Sequence, residues 1–150
     1  VKIVFFDTSQ STGWAVADGG RIVESGVQSF AKRRGESNGL VFLRFRKWLY
    51  DFIEITGPDV IGYERAHFRG AGTELLAGLQ TRVQEAIAEF CLVPAPLHTA
   101  EIKRFATGRG NAPKADMVAA AVPVLGRDPV TDDEADAVFG ALCVASQIEV

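Results

Sequence analysis

Four acids are spaced through the chain so that they could do chemistry together: Asp7, Glu64, Asp133 and Asp136. Asp7 closes the apolar run Lys-Ile-Val-Phe-Phe-Asp, and Glu64 closes Asp-Val-Ile-Gly-Tyr-Glu. Asp133 and Asp136 stand three apart, on one face of any helix that carries them. Gathered by a fold, these carboxylates form a cage of hard oxygen donors suited to Mg²⁺ or Mn²⁺. Two such cations roughly 3.5 to 4 Å apart hold a water, a scissile phosphate and a leaving oxygen in line, which makes phosphodiester hydrolysis the chemistry to expect. Without metal the acids repel one another and some of their pKa values rise, so metal should stabilise the fold.

The elements that would position these acids follow from hydrophobic periodicity. Residues 2–7 read as a central strand buried on both faces. Residues 13–17 and 21–30 flank Asp18-Gly19-Gly20, a turn signal, and read as two further antiparallel strands. Leu40, Leu43, Trp48, Phe52 and Ile55, with Val41, Phe45 and Leu49 beside them, recur at helical spacing until Gly57-Pro58. Residues 59–64 form a second buried strand ending in an acid. A helix over 73–91, a strand near 92–97, a short helix near 99–106 and a helix beginning at Pro113 follow, proline being well tolerated in a first helical turn. The last helix starts at Thr131-Asp132-Asp133-Glu134, where Thr131 and Glu134 fit a capping box. That assignment occupies Glu134 with capping and leaves Asp133 and Asp136 for chemistry, with Asp132 as an alternative ligand. Ala135, Ala137, Gly140 and Ala141 would let this helix approach a sheet closely.

At 150 residues and 47% hydrophobic content the chain suits one well-buried domain spanning 1–150. No apolar run reaches membrane-spanning length and no signal segment opens the sequence, so a soluble, cytoplasmic protein is expected. Cys91 and Cys143 lack C-x-x-C spacing and lie in apolar stretches, where buried thiols are the ordinary outcome. The net charge of −3 argues against a nucleic-acid binder on average. Neutralising the four acids with divalent ions would turn the balance slightly positive, and the bases are clustered. Lys32, Arg33 and Arg34 form one group, Arg44, Arg46 and Lys47 a second, Arg65 and Arg69 a third, and Lys103, Arg104, Arg109 and Lys114 a fourth.

The ordered set of motifs resembles the RuvC-type Holliday-junction resolvases. The family's strand-closing Asp followed by a Thr-Gly pair is similar to Asp7 through Thr12-Gly13, and its strand-end Glu to Glu64. Its Lys, glycine loop and second Lys resemble Lys103, Gly108-Arg109-Gly110 and Lys114. Its terminal Asp-x-x-Asp-Ala resembles Asp133 to Ala137. The resemblance implies an α/β fold of the ribonuclease-H-like class, a mixed five-stranded sheet flanked by helices. It also implies a Mg²⁺-dependent endonuclease, with Mn²⁺ able to substitute and two ions per site, that resolves four-way DNA junctions by paired symmetric nicks and releases a 3′-oxygen.

By the same resemblance Asp7, Glu64, Asp133 and Asp136 are metal ligands, with Asp7 bridging the ions, and Lys103 and Lys114 are catalytic phosphate clamps. Arg65, Phe68, Arg69, Arg104 and Arg109 join the two lysines as DNA contacts. Phe68 stands near where the family commonly places an aromatic that stacks at opened base pairs, packing inside its own loop being the alternative, and His67 beside it reads as a surface residue or one just behind the ligands rather than a metal ligand. A homodimer is implied, with residues 73–90 at the contact, since a two-fold enzyme can present two identical sites to a branched substrate. The stripe Leu75, Leu76, Leu79, Val83 and Ile87 is first of all a sign of burial. The chain is more acidic than is usual in the family.

Three other readings compete. A nuclease of the same fold could act on other branched DNA or RNA–DNA hybrids through an identical cage. A phosphate-binding turn at Asp7-Thr8-Ser9 and Thr12-Gly13 would fit the actin-like ATPase and sugar-kinase class, which typically needs a second nucleotide-binding half. A non-catalytic DNA-binding module would retain the fold without activity.

Overall fold

The computed structural model describes residues 1–65 and 72–148. The first strand, β1 (Lys2–Asp7), pairs antiparallel with β2 (Ser11–Asp18), which pairs antiparallel with β3 (Arg21–Ser29). Gly19 and Gly20 form the tight β2–β3 connection with φ of 60° and 79°, the left-handed pair that a two-residue hairpin turn requires. After α1 (Asn38–Thr56), β4 (Val60–Arg65) returns parallel to β1. Then α2 (Thr73–Glu89) leads to β5 (Val93–His98), parallel to β4. The sheet order is β3-β2-β1-β4-β5. The chain finishes with α3 (Thr99–Thr107), α4 (Lys114–Leu125) and α5 (Asp132–Ile148). The mixed five-stranded sheet and its flanking helices are therefore those expected.

The sheet separates two cores, and side-chain parity along each strand sorts residues between them. Val4 and Phe6 of β1, with Ile61 and Tyr63 of β4, pack under α1 and α2. Ile3, Phe5 and Val60 pack under α3, α4 and α5. Continuing the alternation by two puts Asp7 and Glu64 on the second face, beneath α5.

Close approach of α5 depends on absent side chains. Phe5 fills the space over Gly62 and Gly140: a Cβ on either glycine would come within 2.4 Å of the ring.

Two local expectations are corrected. In α1 the buried stripe is Val41, Phe45, Leu49 and Ile53, whereas Leu40, Leu43 and Ile55 are 50%, 65% and 86% exposed. Two apolar stripes overlap in that helix, and aromatic packing selects between them: Phe6 meets Trp48 and Phe52 edge-on at 5.7 Å, and Phe30 meets Phe45 at 5.0 Å. Cys91 is exposed rather than buried, because it lies past the end of α2 in the left-handed conformation, φ 54°, that turns the chain toward β5. Cys143 is buried as expected. The α2 stripe of Leu75, Leu79, Val83 and Ile87 is spent inside the chain, against the sheet and α1, with Leu76 half-buried. No helix among the described residues is long and apolar enough to cross a membrane.

Candidate active site

Asp7 ends β1 and pairs across to Gly13 on β2, while Phe6 lies beside Tyr63 on β4, so the next residues, Asp7 and Glu64, are neighbours at the carboxyl ends of two parallel strands. Open α/β sheets place ligands at such strand ends. The first turns of α5 pass over this point. Carboxylate oxygens of Asp7, Glu64 and Asp136 all lie within 4.8 Å of one another. Asp133, one turn earlier, is hydrogen-bonded to Asp7 at the rim of the group. All four acids thus converge, with three of them in ligand-sharing range and Asp133 beside Asp7.

The electrostatics carry the mark of crowded carboxylates. Burial, then the charge of Glu64, holds the Asp7 carboxyl well above its ordinary range, with Asp136 and Asp133 adding to the effect. Burial and Glu64 push Asp136 up to about 7, although Lys103 pulls it back. Burial also raises Asp133, against the opposing hydrogen bond to Asp7 and the charge of Lys114. Like charges brought together in a desolvated pocket must gain protons or a cation. Three clustered hard-oxygen donors, one of them buried, fit a divalent metal ion.

Both lysines border the cage, as their effects on Asp136 and Asp133 indicate. Lys103 is on α3 and half-buried; Lys114 is the first residue of α4, 83% exposed at its side chain, with Nζ 3.8 Å from Asp132 Oδ2. Asp132 therefore meets a lysine, and it is absent from the three-acid group. Arg65, the last residue of β4, and Arg104, on α3, are exposed. Arg109 is ion-paired to Asp116 at 2.6 Å. Phe68, Arg69 and His67 lie outside the described residues.

The second basic cluster is largely paired on the surface, Arg44 with Glu36, Arg46 with Glu89 and Lys47 with Asp51. In the β1–β2 loop the Thr12 hydroxyl donates to the Ser9 carbonyl at 2.6 Å and the Ser9 hydroxyl to the Ser11 carbonyl at 2.8 Å. Those hydroxyls stitch the turn together, as the phosphate-binding-turn reading does not anticipate.

The structure adds residues that periodicity could not single out. Thr99, at the start of α3, donates its hydroxyl to Glu64 Oε1, and Gln80, buried on α2, donates Nε2 to the Glu64 carbonyl at 2.5 Å. Between them they fix both the backbone and the carboxylate of Glu64. Only Gln80 gave a hint in sequence, as a polar residue inside an apolar helical stripe.

Glu134 departs from the capping box. The Glu134 amide does donate to Thr131 Oγ1, at 3.4 Å, but the carboxylate turns to Ser25, Arg127 and the Val130 amide. Burial pushes this carboxyl up, yet the bonds from Arg127, Ser25 and Val130 outweigh burial and hold it below its ordinary range.

Comparison of the architecture with solved structures places this geometry. Thermus thermophilus RuvC superposes with a TM-score of 0.79 over 99% of this chain and 97% of its own, at 17% sequence identity. The chain has the RuvC fold. T. thermophilus RuvC in complex with Holliday junction substrate matches with a TM-score of 0.78 at 19% identity, over 96% of this chain and 92% of that one. The yeast mitochondrial Holliday junction resolvase Ydc2 matches at 0.66 and 14% identity, over 94% of this chain and 76% of its own. No protein-family model and no curated protein matches the sequence. The likeness thus resides in backbone architecture: the RuvC fold is kept with fewer than one residue in five identical to these structures.

Proposed function

We propose that this chain is a Mg²⁺-dependent endonuclease that resolves four-way DNA junctions by paired, symmetric nicks. The observation that carries this reading is the convergence of Asp7, Glu64 and Asp136 within 4.8 Å at the strand ends of a RuvC fold, with Asp133 hydrogen-bonded to Asp7. Asp7, the buried member of the group, would hold the metal together with Glu64, Asp133 and Asp136. When bound, a pair of Mg²⁺ ions, or Mn²⁺ in their place, supplies the charge that lets water attack the scissile phosphorus and that stabilises the leaving 3′-oxygen.

The chain's own side chains do the rest. Thr99 and Gln80 keep Glu64 aimed into the cage. Lys103 and Lys114, at its border, hold the scissile or neighbouring phosphate as point charges. Arg65, Arg104 and Arg109, with Phe68 and Arg69, extend the contact along the DNA arms; Arg109 does so by exchanging Asp116 for phosphate.

Symmetric cutting calls for two cages related by a two-fold axis, hence a homodimer. The inner stripe of α2 is buried in the chain's own core, so the outer side of that helix makes the contact. Beside it, where the C-terminal half of α2 meets β4 and β5, Tyr63, Gln84, Ile87, Ala88, Leu92 and Pro94 line a mostly apolar cavity of about 380 Å³.

The test is cleavage of strand-labelled mobile and fixed four-way junctions with and without Mg²⁺, beside a flap and an RNA–DNA hybrid. Paired nicks at symmetric positions are expected, and they require Mg²⁺. Preferential cutting of the flap or hybrid would move the substrate to another branched nucleic acid, and junction binding without cleavage of any substrate would reduce the chain to a DNA-binding module.

A further inference from the structure

Glu134 is wholly buried, and the geometry of its partners is complete. Oε2 accepts from Ser25 Oγ at 2.6 Å and from Arg127 Nη2 at 2.6 Å; Oε1 accepts from the Val130 amide at 2.6 Å and from Arg127 Nη1 at 3.3 Å. A bidentate guanidinium, a strand hydroxyl and a backbone amide thus meet on one carboxylate. Ser25 belongs to β3, an edge of the sheet, whereas Arg127 and Val130 belong to the segment between α4 and α5.

This knot sits one residue from Asp133 and two from Asp136. On a helix, residues 133 and 136 share a face, and residue 134 is turned about 100° from the first and about 160° from the second. The first turn of α5 is therefore held on one side, where Glu134 reaches Ser25 on β3, while on the other Asp136 faces Glu64 of β4 across the cage. Between them the helix backbone rests directly on β2 at Gly13. A rigid rotation of α5 that broke the Glu134 bonds would carry Asp133 and Asp136 with it.

We propose that Glu134, with Arg127 and Ser25, is a positioning cluster that sets the rotation of α5 and thereby the affinity of the acid cage for divalent metal. This rests on the metal-dependent reading of the cage. None of its three residues belongs to the acid group itself. Its effect on the cage is that of an outer layer of contacts orienting ligand residues, whose loss typically weakens metal binding about 10- to 100-fold.

The experiment is calorimetric titration of Mn²⁺ into the full chain, without DNA, for the unaltered protein and for Ser25→Ala, Arg127→Ala and Glu134→Gln, with thermal melts of each. Ile53→Val, in α1 on the opposite face of the sheet, serves as a comparator that loses stability without touching α5. The expected result is a graded loss of Mn²⁺ affinity, smallest for Ser25→Ala and reaching about 10-fold or more for Arg127→Ala and Glu134→Gln, while Ile53→Val melts lower and binds Mn²⁺ unchanged. Ser25→Ala removes a single bond and keeps the series readable if Glu134→Gln does not fold. Lowered melting with Mn²⁺ affinity within about twofold of the unaltered protein across the series would overturn the proposal and leave the cluster a strut. Failure of the unaltered protein to bind Mn²⁺ would defeat the metal-dependent reading itself, and the proposal with it.

Discussion

Gly13 and the backbone of Asp133 are in direct apposition: a Cβ built on Gly13 would lie 2.0 Å from the Asp133 carbonyl oxygen. Gly13 is also the cross-strand partner of Asp7. One glycine on β2 thus sets how closely the helix bearing Asp133 and Asp136 can approach the strand bearing Asp7.

Replacing Gly13 with Ala should therefore lift the start of α5 from the sheet. Overpacking of this kind costs about 1–3 kcal/mol of stability. Misplacing reacting groups by about 1 Å can cost 10²-fold in rate. The expected outcome is a folded protein with a lower melting temperature and junction cleavage reduced about 100-fold, measured by circular dichroism and by single-turnover nicking.

Asp7→Asn should abolish cleavage while junction binding is retained or strengthened, since a negative charge near phosphate is removed. The same change should raise the melting temperature in EDTA at pH 8, because the Asp7 carboxyl is held well above its ordinary range by burial and by Glu64. The rise is about 2–4 °C for each kcal/mol of relieved repulsion. Undiminished cutting by this variant would remove Asp7 from the mechanism.

The metal-free protein should become less stable as pH rises from about 4 to 7. Asp136 titrates near 7 in the folded chain against an ordinary value of 3.8, so in that window the native state binds more protons than the unfolded chain and stability falls with pH. The raised values of Asp7 and Asp133 act in the same direction. Melting curves in EDTA between pH 5 and 8 should show the decline, Asp136→Asn should flatten it, and saturating Mg²⁺ should restore stability at the alkaline end. A flat profile for the unaltered protein would contradict the crowding of the four acids.

Lys114→Ala should slow cleavage about 10- to 100-fold, the worth of one charge-assisted hydrogen bond formed in the transition state. Its side chain is 83% exposed and its ion pair to Asp132 is long at 3.8 Å, so the melting temperature and the association of subunits should hardly change. Sedimentation beside the nicking assay separates these effects; altered association with unaltered cleavage would refute the phosphate role.

Much of this arrangement was legible along the chain because it rests on local periodicity. Two apolar runs each ending in an acid announced strands whose last side chains emerge at one end of a sheet, and a three-residue spacing put Asp133 and Asp136 on one helical face. The parity of β1 and β4 then committed Asp7 and Glu64 to the same side as α5, since alternation leaves a strand only two faces. Gly19-Gly20, Gly57 and Pro113 marked boundaries close to those observed, because their backbone limits act wherever they stand.

Other features arise from partners remote in sequence, which no local pattern can choose. Val41 rather than Leu40 is buried because rings from β1 and from the end of the hairpin fix the rotation of α1. Glu134 read as a helix cap because its spacing from Thr131 suits one. Its carboxylate goes instead to Ser25, 109 residues away, and to Arg127, because a fully buried charge must find enough donors wherever the packed chain supplies them. Thr99 and Gly13 likewise acquire their meaning only from what folding sets against them: a carboxylate in one case and a helix backbone in the other.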